Sequence, residues 1–186
     1  MKPRNKHSRQ RASGEKTKSS GNGLNSLRDL FVEELRDLYD AENQLVRTLP
    51  KVAAAVSSAE LKDTIKAHLE QTREHVKRLE QVFKDVGEQT RATHCDAMEG
   101  LLKEGKKMTE KHGEEAVVDA GIIAAAQRVE HYEIAGYGCV CAFAKRLGYD
   151  ESAELLGQTL DEEKKADEKL TEISESSLEL DEQTVA

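Results

Sequence analysis

The sequence predicts an all-α protein in which four long helices and one short helix form a single bundle. Its 186 residues include only 2 prolines and no tryptophan, and 34% of them are charged, which is typical of long amphipathic helices. Apolar residues recur at alternating spacings of three and four along most of the chain, as on the buried face of a helix. The length is sufficient for one domain with a hydrophobic core.

The first two helices are predicted to form a hairpin. The first starts near Leu24 and continues past Pro50, where a kink is expected because proline removes a backbone hydrogen bond. Ser57 and Glu60 form a capping box that predicts the start of the second helix, and Gly87 predicts its end. The two buried faces are Leu24, Leu27, Phe31, Leu35, Leu38, Glu42, Leu45 and Leu49, then Leu61, Ile65, His68, Thr72, Val76, Leu79, Phe83 and Val86.

The last two long helices are predicted to form a second hairpin after a crossover. A short third helix is expected at about 96–111, and a fourth helix at about 114–147 that Gly148 ends. Asp150 is expected to cap the fifth helix. The buried faces are Ile122, Ala126, Val129, Glu130, Glu133, Tyr137, Val140, Ala144 and Leu147, then Leu156, Leu160, Glu163, Asp167, Leu170 and Ile173. Two antiparallel hairpins joined by a crossover are the connectivity of ferritin-like four-helix bundles.

Charge divides the chain into an arm, a body and a short tail. Residues 1–23 carry seven Lys or Arg and one Glu, a net +6, which leaves −14 on the rest of a chain whose net charge is −8. This arm has too few apolar residues to form a core, so we expect it to be disordered. Residues 24–177 are predicted to be the bundle, and residues 178–186 a polar tail.

Acidic residues and histidines occupy positions where the buried faces should be apolar. A buried carboxylate is costly unless it is paired or binds a metal, and a pair of Fe or Mn ions would satisfy several at once. Counting outward from the two tight turns places Glu42 level with Glu74 or His75, Glu130 level with Ala166 or Asp167, and Glu133 level with Glu163. The candidate metal ligands are Glu42, His68, His75, Glu130, Glu133, Glu163 and Asp167.

Each of these candidates also has a structural interpretation. The second-hairpin carboxylates could form a salt-bridged seam with Arg128, Lys164 or Lys165. His68 could be a hydrogen-bonded core histidine, and His75 a surface histidine. Both interpretations stay open from the sequence.

Several ordered segments resemble the YciF-like ferritin-like family of bacterial stress proteins over about residues 26–175. The segments are LFVEELRDLYDAENQL, HLEQT, RLEQVF, CDAMEGL, IIAAAQRVEHYEIAGYG and LLGQTLDEEKKADEKL. The resemblance implies a ferritin-like bundle, a homodimer and a role in stress response. It matches His68 to the histidine of the HLE segment, and it matches recurring acidic positions to Glu42, Glu130, Glu133 and Glu163.

The chain departs from the wider di-iron pattern, which has Glu-x-x-His on two helices. Thr72 stands where an acid would precede His75, and Ala166 stands where a histidine would follow Glu163. We therefore expect a carboxylate-rich dinuclear Fe or Mn site, with oxidation of Fe(II) or breakdown of peroxide as the candidate chemistry.

Two further expectations concern location and an alternative function. No apolar run is long enough for a membrane span or a secretory signal, so a cytoplasmic location without membrane contact is expected. The alternative function is a non-enzymatic dimeric scaffold without metal, whose basic arm binds nucleic acid through the phosphate backbone. The arm has no aromatic residue to stack on bases.

The arm hypothesis predicts binding to duplex DNA that depends on salt and not on sequence. Deleting residues 1–23 should abolish this binding, because it removes a net charge of +6 that would displace counterions from phosphates. The measurement is a titration of labelled DNA by fluorescence anisotropy at several salt concentrations. Unchanged binding after the deletion would end the hypothesis.

Overall fold

The computed structural model describes residues 23–182, with side chains to residue 176. The predicted arm lies outside the described residues except for Gly23, and so does the end of the predicted tail; both stay predictions. The described residues form the helices α1 Leu27–Ala55, α2 Ala59–Asp85, α3 Asp96–Thr109, α4 Glu115–Leu147 and α5 Asp150–Glu182.

The four long helices form the predicted ferritin-like bundle. The helices α1 and α2 form one antiparallel hairpin, and α4 and α5 form the other. The hairpins pack with α1 on α4 and α2 on α5, while the short α3 lies across α1 and α4. None of the helices within residues 23–182 is long and apolar enough to cross a membrane.

The helix boundaries follow the predictions with local corrections. The helix α1 continues through Pro50 as expected, but it begins at Leu27 and not near Leu24. The reason is that the Ser26 hydroxyl accepts the backbone N–H of Asp29 and caps the helix there. The helix α3 ends at Thr109, two residues before the predicted end.

At each of the two tight turns, the start of the following helix differs from the prediction by one residue. Ser58 caps α2, and its hydroxyl accepts the N–H of Leu61 at 3.3 Å, so the prediction of Ser57 as the cap was wrong. Gly148 has φ 79° and ends α4 as predicted. Asp150 is the first residue of α5 and not its cap.

Asp119 explains the shift in the first turn. Its buried carboxylate on α4 accepts the backbone N–H of Ser57 at 3.1 Å and that of Ser58 at 2.7 Å. Asp119 therefore fixes the backbone of both serines, and the hydroxyl of Ser58 is left to accept the N–H of Leu61. The contact also ties the α1–α2 turn to the second hairpin.

The core consists of two apolar clusters on either side of a polar layer. The cluster nearest the α4–α5 turn contains Phe31, Leu35, Leu79, Phe83, Tyr137 and Leu156, among others. The cluster nearest the α1–α2 turn contains Leu61, Ile65, Ile122, Ile123, Leu170 and Ile173, among others. Each cluster takes side chains from all four long helices. A third, smaller cluster lies under α3 and includes Leu45, Cys95, Met98 and Val129.

Replacing Asp119 with alanine should lower the free energy of unfolding by about 1–3 kcal/mol, because two backbone N–H groups lose a charged acceptor. The measurement is urea unfolding followed by circular dichroism. Glu168→Ala, an exposed acid on α5, is the matched control and should change stability by less than about 0.5 kcal/mol. Equal effects of the two substitutions would contradict this role of Asp119.

Candidate metal centre

The polar layer between the two apolar clusters is built from six side chains that all four long helices contribute. None of the six is more than 7% exposed. Where one helix contributes two of them, they stand three or seven positions apart, so they share its inner face. They are Glu42 from α1, His68 and His75 from α2, Glu130 and Glu133 from α4, and Glu163 from α5.

Four of these residues surround one possible ion position. His68, Glu130, Glu133 and Glu163 each offer a ligand atom, and these atoms lie within 4.8 Å of one another. That spacing fits donors on different sides of an ion with bonds of roughly 2.0–2.2 Å. Nε2 of His68 lies 3.5 Å from Oε1 of Glu130. Neither ring nitrogen of His68 has a hydrogen-bond partner among the described residues, so both are available as ligands.

Glu42, His75 and Glu163 surround a second possible ion position. Nδ1 of His75 lies 2.8 Å from Oε1 of Glu163 and 3.4 Å from Oε1 of Glu42, without the alignment of a hydrogen bond to either. The Tyr137 hydroxyl donates a hydrogen bond to Oε1 of Glu42 and orients that carboxylate. Because Glu163 belongs to both groups, it could serve as a ligand at either position.

The outer nitrogen of His75 is held by a pair of residues that sequence analysis missed. Nε2 of His75 lies 2.8 Å from Oε2 of Glu162, in hydrogen-bond geometry. Arg78 binds the same carboxylate through two hydrogen bonds of 2.7 and 2.9 Å. Metal-binding histidines commonly place their second ring nitrogen against a carboxylate, which fixes the ring and its tautomer. The signal in the sequence was weak, because Glu162 is one of several acids in a row.

The layer contains carboxylate oxygens that are buried and lack a hydrogen-bond partner among the described residues. They are Oε2 of Glu42, Oε2 of Glu130, and both oxygens of Glu133 and of Glu163. Leaving a buried polar atom without a partner costs about 1–3 kcal/mol, and more when the group is charged. Six such atoms in one layer are therefore a large cost unless another group binds them.

The pKa shifts of the layer's side chains also indicate that its carboxylates have too little positive charge near them. Burial raises the pKa of Glu133 well above the ordinary glutamate value, and the charges of Glu42 and Glu163 raise it further. Burial and the charge of Glu163 likewise raise the pKa of Glu130. Burial disfavours the charged form of His75, but Glu163 and Glu42 outweigh it and raise its pKa to about 10. Without metal the layer holds protons, which bound cations would displace.

The structure brings six of the seven predicted ligands together and leaves one outside. Asp167 is partly exposed; its Oδ2 lies 3.3 Å from Nε2 of His131, and its Oδ1 accepts a hydrogen bond from Gln127 at 3.3 Å. It belongs to neither ion position. The contact between Glu42 and His75 is one of the two that the hairpin register allows, the other being Glu42 with Glu74.

The predicted salt-bridged seam does not form among the described residues. None of Arg128, Lys164 and Lys165 makes an ion pair with a carboxylate of the layer. Lys164 lies instead 3.9 Å from Asp161 on the outer face of α5. Within the part of the chain that the structure describes, histidines are the only basic side chains in contact with the layer.

Comparisons with known proteins give a consistent result. A family model described as a domain of unknown function, DUF892, matches residues 26–182. Protein YciF of Escherichia coli strain K12 is 43% identical over 152 residues, which cover 81% of this chain and 92% of YciF.

Solved structures share the fold over most of the chain. The crystal structure of the E. coli stress protein YciF has a TM-score of 0.82 at 41% identity, covering 84% of this chain and 99% of the other. YcfI of Rhodopseudomonas palustris has a TM-score of 0.79 at 39% identity, covering 82% and 97%. A Xanthomonas campestris protein shares the fold at 21% identity, with a TM-score of 0.68 and coverage of 84% and 99%.

Replacing Glu133 with glutamine should stabilise the metal-free protein by about 1–3 kcal/mol at pH 8, because the substitution removes a buried charge without a partner. The pKa of Glu133 is raised in the folded state. Near the unfolded pKa and below it, both states hold the proton and the glutamate costs nothing. As the pH rises, the unfolded state loses its proton first, so the cost grows and the gain from glutamine grows with it.

The measurement is urea unfolding of chelator-treated protein at pH 5.5 and pH 8. Glu154→Gln, an exposed glutamate on α5, is the matched control and should change stability little at either pH. Destabilisation by Glu133→Gln would mean that the carboxylate is a paired structural group.

Proposed function

The chain belongs to the DUF892 family, whose domain has no assigned function, and on that premise we propose that its polar layer holds a dinuclear Fe or Mn centre serving in oxidative or metal stress. The observation that carries the proposal is the set of six buried carboxylate oxygens without a hydrogen-bond partner among the described residues, of which only Oε1 of Glu163 lies against a histidine. They lie around two ion positions that share Glu163. The stress role is suggested by the similarity to YciF, which is described as a stress protein.

Charge and donor type both favour two divalent ions of this kind. Four glutamates carry four negative charges when ionised, and two divalent cations would balance them. Carboxylate and imidazole donors suit Fe and Mn, whereas structural zinc sites usually include cysteine thiolates. Four carboxylates and two imidazoles are also the donor set of di-iron proteins built on this fold. In this chain α2 supplies both imidazoles and α4 supplies two of the carboxylates.

The surrounding residues orient the ligands and exclude water. Glu162, held by Arg78, would accept the outer N–H of His75 and keep its inner nitrogen free to bind. Tyr137 holds Glu42 in place. The apolar clusters above and below close the layer at both ends of the bundle. When bound, such ions supply redox chemistry, with oxidation of Fe(II) or breakdown of peroxide as the candidate reactions.

A second candidate function is a non-enzymatic dimeric scaffold. The contacts of His75 with three carboxylates favour it. Its ring lies against Glu42, Glu162 and Glu163, so part of the layer is paired without any metal. This pairing leaves Glu133 without a partner among the described residues. The effect of Glu133→Gln on stability separates the two functions.

Protein expressed in medium supplemented with Fe and Mn, and purified without chelator, should contain about two ions per chain by elemental analysis. Glu163→Gln should lose most of both ions, because Glu163 belongs to both positions. Asp167→Asn is the matched control on the same helix and should keep both ions, since Asp167 lies outside the layer. Less than about a tenth of an ion per chain, even after anaerobic reconstitution, would end the metal proposal.

A further inference from the structure

A cleft on one side of the bundle leads to the polar layer. It lies between α1, α3 and α4 and has a volume of about 780 Å³. Small-molecule sites in proteins are commonly about 300–1,000 Å³. Glu130 lines the cleft, and its Oε2 is buried and has no partner among the described residues. The cleft therefore connects the surface with one ligand of the proposed metal centre.

The walls of the cleft are apolar and incompletely covered. They include Leu45, Leu49, Val52, Leu101, Leu102 and Val129. Four of these side chains, on α1 and α3, are only partly buried although they pack on the core clusters. An aliphatic chain in this space would gain roughly 25 cal/mol for each Å² of apolar surface removed from water.

The rim of the cleft carries more positive than negative charge. It is lined by four cations and two acids, namely Arg47, Lys51, Lys103, Lys106, Glu99 and Glu110. Both acids have a basic neighbour, since Oε2 of Glu99 lies 3.2 Å from Nε2 of His94 and Lys106 lies 3.6 Å from Glu110. Arg47, Lys51 and Lys103 are exposed and make no ion pair with any residue that the structure describes. The excess of cations at the mouth attracts an anion.

We propose that the cleft binds an aliphatic monocarboxylate, with its carboxylate at Arg47, Lys51 and Lys103 and its chain along the apolar walls toward Glu130. Such a ligand has a charged head group and an apolar chain. The cations at the mouth complement the head group, and the apolar walls behind them complement the chain. The inference extends the proposed function by naming a ligand class beside the metal centre. The binding step itself needs no metal, so the two proposals can fail separately.

The test is isothermal titration of the full-length, chelator-treated protein with dodecanoate, below the concentration at which dodecanoate forms micelles. We expect saturable binding of one dodecanoate per chain, and binding at least tenfold weaker for butyrate, which has the same head group and a short chain. The double substitution of Arg47→Glu and Lys103→Glu should weaken dodecanoate binding at least tenfold.

Arg91→Glu with Lys165→Glu is the matched control. It changes the net charge equally, both residues are exposed, and neither lines the cleft. Its affinity for dodecanoate should stay within twofold of that of the unchanged protein. Equal weakening by the two double variants, or no saturable binding by the unchanged protein, would overturn the proposal. The proposal would also be overturned if the protein formed a dimer that does not bind dodecanoate and that the rim substitutions dissociate. A second copy of the chain would then cover the cleft.

The variant Glu133→Gln separates this proposal from the metal proposal. Glu133 does not line the cleft, so the variant should bind dodecanoate as the unchanged protein does. Protein that takes up less than about a tenth of an ion per chain on reconstitution, yet binds dodecanoate, would remove the proposed metal centre and support the cleft. Protein that holds two ions per chain and does not bind dodecanoate would support the metal centre and overturn the cleft proposal.

Discussion

Four carboxylates lie in one water-poor layer, and their mutual repulsion is the constraint on which the rest of this bundle depends. No Lys or Arg among the described residues reaches the layer, so the negative charge must be met by protons, by His75 or by bound cations. The same helices that bury the acids also carry the apolar residues that stabilise the fold. The bundle therefore keeps a costly arrangement at its centre, as proteins commonly do where a binding site is built into the core.

The layer is supported by residues arranged outward from it. His75 contacts the central Glu163 on one side and Glu162 on the other, and Arg78 holds Glu162 at the surface. This series of contacts runs from the core to the solvent between α2 and α5. Asp119 performs a comparable role for the backbone, since it joins the α1–α2 turn to α4. Polar contacts thus connect the two hairpins at positions where apolar packing alone would leave their register less defined.

Sequence periodicity predicts which face of a helix is buried, but it does not predict how far apart two buried faces lie. The stripes and tight turns were enough to predict five helices and to limit the partner of Glu42 on α2 to Glu74 or His75, of which the structure shows His75. Asp167 stands on the same stripe as Glu163, one turn further along, yet it lies at the edge of the bundle beside His131. That difference depends on the rotation of α5 against α4, which the spacing of residues does not specify.

Other features escaped prediction because they join residues that are distant in sequence. Asp119 is 62 residues from Ser57, and Glu162 is 87 residues from His75. A search for Glu-x-x-His would also fail, because both imidazoles of the layer come from α2. The number of donors matches the di-iron pattern although their order along the chain does not.

The position of the layer also affects how the molecule opens. Each apolar cluster contains segments of all four long helices, so each is a small bundle of its own, and the acidic layer is the joint between them. Most helices fray at their ends and are best protected in the middle. In the metal-free state we expect the reverse at the joint. Backbone amides in the middle of α4 should exchange hydrogen faster than those in the clusters on either side. Cations in the layer would turn two loosely coupled half-bundles into one cooperative unit.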